Sequence, residues 1–273
     1  MPHNFDPIGV FDSGVGGLSV LRAVRALMPG EAILYFGDQG HVPYGPRSMA
    51  QIQSFSEGIT NFLLNHDSKL IVVACNTASA AALNYLRQRF PAVSFVGMEP
   101  AVKPAAETTK TGRVGVLATP ATFQGALYTS VVERFAAGVE LFQHTCPGLV
   151  NQIEKGELGS DATRAILEDA LHPMLERNID TVVLGCTHYP FVIPLIEQIV
   201  GGNVRVIDPA PSVAKQVKHL LAVQGMINQS QTLTPIRFFT SGSSTQMRSV
   251  LPVLLGESGE VRSVRWKNDR EII

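Results

Sequence analysis

Leu70-Ile71-Val72-Val73-Ala74-Cys75-Asn76-Thr77 and Thr181-Val182-Val183-Leu184-Gly185-Cys186-Thr187-His188 are the two stretches on which the reading of this chain turns. Each opens with a short run of apolar, largely β-branched residues, the pattern of a strand covered on both faces of a parallel sheet. Each run stops at a cysteine followed by hydrogen-bonding side chains. In open α/β sheets, ligands bind at the carboxyl ends of the strands, so both thiols are expected where ligands bind.

Outward from these two points, strand and helix signals alternate. Strands are expected at 8–11, 32–36, 70–74 and 93–96, and helices at 18–27, 49–64 and 78–89. The order then restarts with a strand at 113–117, and Cys186 comes 67 residues after Thr119, much as Cys75 comes 63 residues after Asp12. This predicts an α/β protein of two similar lobes with mostly parallel sheets, related as an internal duplication. The tail carries a helix at about 212–225, a strand at 235–240 and a final helix, and is expected to return to the first lobe. The domain assignment is therefore 1–98 plus 209–273 for the first lobe and 99–208 for the second. Pro209-Ala210-Pro211 is the expected crossing.

A chain of 273 residues with 45% hydrophobic and 16% charged residues has ample material for such cores. The net charge of −1 gives no global attraction to nucleic acid or to an anionic membrane, so neither is expected as a partner. No apolar stretch approaches the ~20 residues of a membrane span, and Met1-Pro2-His3-Asn4 lacks the basic start of a leader; a cytoplasmic location is the expectation. Three cysteines make no disulfide framework. Without a Cys-x-x-Cys or His-x-x-x-His pair, no metal site is expected either.

The chemistry-bearing residues each have a plainer reading. Asp12-Ser13-Gly14-Val15-Gly16-Gly17 suggests a dinucleotide fingerprint, but counting from Gly14 the sixth position is Ser19. The glycines serve better as a sharp turn presenting Asp12 and Ser13 to a ligand. A cysteine often only packs, and Cys146, before Pro147, is read that way. Cys75 and Cys186 differ in keeping hydrogen-bonding company, Asn76 and Thr77 beside the first and Thr187 and His188 beside the second. His188, two residues from Cys186, can shuttle a proton, and Asp12 has the mirrored position toward Cys75. Glu154 is on pattern alone an ordinary helix carboxylate, and Pro43-Tyr44-Gly45 an ordinary turn. A non-catalytic amino-acid-binding protein and a disulfide oxidoreductase both stay open at this point.

Taken together, Gly9-Val10-Phe11-Asp12-Ser13-Gly14-Val15-Gly16-Gly17-Leu18, Pro43-Tyr44-Gly45, Ala74-Cys75-Asn76-Thr77-Ala78-Ser79 and Gly185-Cys186-Thr187-His188-Tyr189-Pro190 resemble the glutamate racemases of the aspartate/glutamate racemase superfamily. The resemblance implies a cofactor-independent isomerase acting on glutamate, with its active site between two lobes and two opposed catalytic thiols, Cys75 and Cys186. It implies substrate contacts from Asp12, Ser13, Tyr44, Gly45, Asn76, Thr77, Thr119, Thr122, Thr187 and His188. Glu154 matches the carboxylate that works with the histidine, although Asn151-Gln152-Ile153 departs from the Pro-Leu-Val usual before it. D-glutamate supply for peptidoglycan and a homodimer are further implications. Two fixed bases on either side of one carbon, each about 3–3.5 Å from it, require sulfurs roughly 6–7 Å apart.

Overall fold

The computed structural model describes residues 3–273; the first two residues of the segment inspected for a leader lie outside them. The apolar runs become strands and the amphipathic stretches helices. In chain order the first stretch holds β1 (Ile8–Asp12), α1 (Leu18–Leu27), β2 (Ile33–Gly37), α2 (Met49–Leu64), β3 (Leu70–Val73), α3 (Asn76–Arg89) and β4 (Phe95–Gly97). There follow α4 (Val102–Thr108), β5 (Arg113–Ala118), α5 (Pro120–Gln124), α6 (Ala126–Phe135), β6 (Glu140–His144), α7 (Leu149–Glu154), α8 (Asp161–Glu176) and β7 (Thr181–Gly185). A 3-10 turn (Tyr189–Val192), α9 (Ile193–Val200) and β8 (Arg205–Ile207) complete that stretch. The tail contributes α10 (Ala210–Val223), β9 (Ile236–Thr240), α11 (Ser244–Leu255), β10 (Val261–Ser263), β11 (Trp266–Asn268) and β12 (Glu271–Ile272).

Two compact units result: Met1–Met98 with Ala210–Ile273, and Glu99–Pro209. In the first, six parallel strands run in the order β10-β9-β2-β1-β3-β4. Every residue of β1, β2 and β3 is buried, as expected of strands with helices on both faces. In the second, β6-β5-β7-β8 are also all parallel. This repeats the β2-β1-β3-β4 order of the first unit, so the duplication expected from spacing extends to topology. In each unit the central strand has its successor on one side and the next strand on the other. That reversal opens a crevice at the carboxyl edge. Cys75 follows β3 and Cys186 follows β7, each a strand that borders the crevice of its own unit.

One apolar core of the first unit packs Phe11, Phe36, Ile59, Ile71 and Val73 between the sheet and α2 and α3. The second unit packs Val102, Val114, Val116, Val131 and Val183. A buried ion pair ties down the first unit's far side. Lys69 Nζ donates to Glu31 Oε2 at 2.6 Å, to the Asn4 carbonyl at 2.6 Å and to the Met226 carbonyl at 2.9 Å.

Two local expectations need correction. The helix after Cys75 starts at Asn76, not Ala78, because the cysteine itself caps it: the Ala78 N–H donates to the sulfur at 3.4 Å. Beyond α11 the tail also continues into β10 and the antiparallel pair β11–β12. Strands of only two or three residues carry no periodicity from which they could be read.

Candidate active site

In the first unit, register decides which side chains meet. Asp12 pairs with Gly37 across the β1–β2 ladder, and the Ala74 N–H donates to the Phe11 carbonyl at 2.7 Å. The residues just past the ends of β1, β2 and β3, Ser13, Asp38 and Cys75, therefore lie side by side at the carboxyl edge. Gly17 makes this possible, since a Cβ there would lie 2.7 Å from the Asp12 Cβ and 3.0 Å from the Ala74 Cβ.

The Cys75 thiol donates to Ser13 Oγ at 3.6 Å. Burial, followed by the neighbouring Asp12 carboxylate, drives the Cys75 pKa far above that of an ordinary thiol. Both effects favour the protonated thiol over the thiolate. Asp12 is fully buried, and its Oδ2 accepts the Gly14 N–H at 2.9 Å. Asn76 is 5% exposed, and neither its amide oxygen nor its amide nitrogen has a hydrogen-bond partner in the protein. Leaving such groups buried and unmade costs about 1–3 kcal/mol each, and both amide atoms of Asn76 have capacity for a further hydrogen bond. Thr77, beside it on the first turn of α3, is also buried.

Tyr44, expected among the substrate contacts, has its hydroxyl turned to Asp38. Its ring is 2% exposed and its hydroxyl donates to Asp38 Oδ2 at 2.6 Å, so the side chain faces the protein. Burial, then the Asp38 charge, holds that hydroxyl protonated well above the usual tyrosine range. The turn can serve a ligand through its backbone instead: a Cβ on Gly45 would meet nothing within 4 Å. Sequence reasoning missed Asp38, although it follows β2 as Asp12 ends β1. That shared strand-end position was the available signal.

The second unit presents a different chemistry. Cys186 Sγ lies 3.8 Å from His188 Nδ1, and His188 Nε2 lies 2.7 Å from Glu154 Oε1 at the end of α7. All three are at least nine-tenths buried. Burial alone would depress the histidine, but its hydrogen bonds to Cys186 and Glu154 outweigh it, and the pKa stands well above the ordinary value. His188 is therefore a proton holder beside the sulfur, oriented from behind by a carboxylate. Thr187 is buried beside it. At the end of β5, Thr119 caps α5 by accepting the Thr122 N–H at 3.3 Å, and the two hydroxyls lie 3.0 Å apart. Cys146 is 2% exposed, with its pKa raised to about 12 by burial and then by Cys186 and Asp169. That environment suits a packing residue. All three cysteines are free, and among the described residues no group of three or more His, Cys, Asp or Glu is arranged to hold a metal ion. No helix among them is long and apolar enough to cross a membrane.

With this geometry in view, comparison with known proteins is informative. The sequence model of the family described as Asp/Glu/Hydantoin racemase matches residues 18–217. A glutamate racemase of Pseudomonas paraeruginosa is 49% identical over 255 residues, covering 93% of this chain and 96% of that protein. The fold is similar to the crystal structure of Escherichia coli glutamate racemase in complex with L-glutamate and the activator UDP-MurNAc-ala. There the TM-score is 0.83 and the identity 32%, covering 94% of this chain and 97% of that one. It is also similar to that of Francisella tularensis glutamate racemase in complex with D-glutamate, with TM-score 0.81, 31% identity, and 95% and 97% coverage.

Proposed function

Since the chain belongs to the Asp/Glu/Hydantoin racemase family, we propose that it interconverts L- and D-glutamate without a cofactor, using Cys75 and Cys186 as paired acid–base groups. The supporting observation is the contrast between the two thiols. Cys75 is kept protonated by burial and by Asp12, whereas Cys186 has a partner, His188, able to hold its proton.

The proton balance follows. From L-glutamate, Cys186 as thiolate takes the α-hydrogen and becomes a thiol, leaving the electron pair on Cα. The Cys75 thiol then delivers its proton to the opposite face and becomes a thiolate. From D-glutamate the roles reverse. Each turnover leaves the sulfurs in exchanged states, so one proton must leave Cys186 and one must return to Cys75. On the first side the His188 imidazolium, backed by Glu154, releases its proton to solvent and then takes the one on the sulfur. On the other a solvent proton reaches Cys75 with the help of Asp12. The α-proton of an amino acid is a very weak acid, so the carbanion must be stabilised electrostatically. Ser13, Asn76, Thr77, Thr119 and Thr187 are the proposed donors to the α-carboxylate. Thr122 and the backbone of the Tyr44–Gly45 turn are the proposed contacts for the side-chain carboxylate. The physiological role we assign is the supply of D-glutamate for peptidoglycan, in the cytoplasm.

The test follows glutamate enantiomers by circular dichroism in heavy water, with aspartate as a control. Product is expected to carry deuterium at Cα. Cys75→Ser and Cys186→Ser are each expected to lower kcat about a thousandfold, since a serine hydroxyl neither ionises nor donates like a thiol. A serine variant as fast as its parent, or product free of deuterium, would refute the mechanism. Activity on aspartate alone would refute the substrate.

A further inference from the structure

Asp38 is a fully buried carboxylate and takes no part in the proton transfer described above. Such a group is tolerated only when its lone pairs are filled. The donors come from far apart in sequence: the Tyr44 hydroxyl at 2.6 Å, the Ser241 hydroxyl at 2.5 Å, the Trp266 indole N–H at 2.9 Å and His41 Nδ1 at 3.0 Å. Its backbone N–H donates to the Asp12 carbonyl at 2.9 Å. Through its carboxylate Asp38 thus joins the Tyr44–Gly45 turn to the carboxy-terminal β11–β12 pair, and through its backbone it is tied to the end of β1.

The pair is fitted to reach it. At Gly58 on α2, a Cβ would lie 2.6 Å from the Trp266 ring and 2.8 Å from the Arg270 carbonyl, so only glycine lets the pair lie this close. Ser54 on the same helix donates to the Asp269 carbonyl at 2.7 Å. The His41 ring is stacked on Phe55 at 3.9 Å, with Trp266 tilted against it at 5.1 Å. A strand pair needed only to finish a sheet would not require its indole N–H to be aimed at a buried carboxylate.

We propose that Trp266 is a positioning residue: through Asp38 it holds the Tyr44–Gly45 turn in the conformation that receives the substrate's side-chain carboxylate. This rests on the proposed glutamate racemase function. The indole N–H shares Oδ1 with the Ser241 hydroxyl, leaving Oδ2 for Tyr44 and His41. Without it, Ser241 alone holds Oδ1, the carboxylate loses the donor that fixes its tilt, and the tyrosine anchor moves with it. The effect falls on binding, because the turn touches the substrate's remote end and not Cα.

Trp266→Phe keeps an aromatic ring and removes only the donor. Its KM for both glutamate enantiomers is expected to rise about five- to tenfold with kcat within about twofold, a fraction of the roughly 10- to 150-fold that one hydrogen bond to a charged group is worth, because the loss reaches the substrate only through the turn. A merely structural role would lower the folded fraction, and so kcat per chain, while leaving KM in place. Trp266 is the only tryptophan of the chain, so its fluorescence provides a second measurement on the unaltered protein. Adding D-glutamate is expected to change the emission, and Tyr44→Phe to abolish that change. An unchanged KM in Trp266→Phe, a fall in kcat alone, or, should that variant not fold, an emission indifferent to D-glutamate would overturn the proposal. Failure of the parent chain to racemise glutamate would instead overturn the function on which it rests.

Discussion

Replacing Glu154 by glutamine probes the proton relay proposed for the second unit with the smallest change of shape. The carboxylate lies 2.7 Å from His188 Nε2, and both residues are buried, His188 at 3% and Glu154 at 8% exposure. A hydrogen bond to a charged group is worth about 1.5–3 kcal/mol and a neutral one about 0.5–1.5, so Glu154→Gln forfeits about 1–1.5 kcal/mol. At 1.36 kcal/mol per tenfold, kcat/KM falls about 5- to 15-fold. Two enantiomers are equal in free energy, so the fall must be the same in both directions. The pH profile adds a signed expectation. Cys186 and Glu154 hold the His188 pKa well above its ordinary value, so the imidazolium persists to high pH in the parent. Without Glu154 the basic limb moves to lower pH. Stability follows the same sign: a raised folded pKa stabilises fully below the unfolded value of about 6.5, and that contribution is lost as pH rises through the raised value. The melting temperatures of parent and variant should therefore differ most near pH 6 and converge at alkaline pH. Circular dichroism serves both assays. A variant within twofold of its parent, with an unmoved basic limb, would refute the relay.

Other consequences are equally direct. Gly17→Ala places a Cβ 2.7 Å from the Asp12 Cβ and should destabilise by about 1–3 kcal/mol in urea while lowering kcat; a stable, fully active variant would mean that the strand ends tolerate displacement. Lys69→Met removes the cation from the Glu31 carboxylate, which is 2% exposed and, among the described residues, keeps only the Asn228 N–H, and should cost about 3–5 kcal/mol. Adding Glu31→Gln should recover part of that loss, and a double variant no more stable than the single would deny that the uncompensated charge is the cause.

How much of this was legible in the chain depends on range. The β-branched runs at 70–73 and 181–184, each ending in a cysteine, announced parallel strands and strand-end thiols, because burial on both faces leaves a local apolar signature. The spacing of Asp12 to Cys75 and of Thr119 to Cys186 already suggested the duplication that strand order repeats in each unit. Nothing local could say that the Tyr44 hydroxyl is consumed by Asp38, or that Trp266 is its neighbour from 228 positions away. Nor could a carboxylate on α7 be distinguished by pattern from any other helix glutamate before folding brought it 2.7 Å from His188. Local sequence determines which segments bury themselves and where they end, since periodicity and steric preference act over a few residues. Which polar groups then meet is decided by packing alone, because a hydrogen bond depends on separation in space and leaves no trace in separation along the chain.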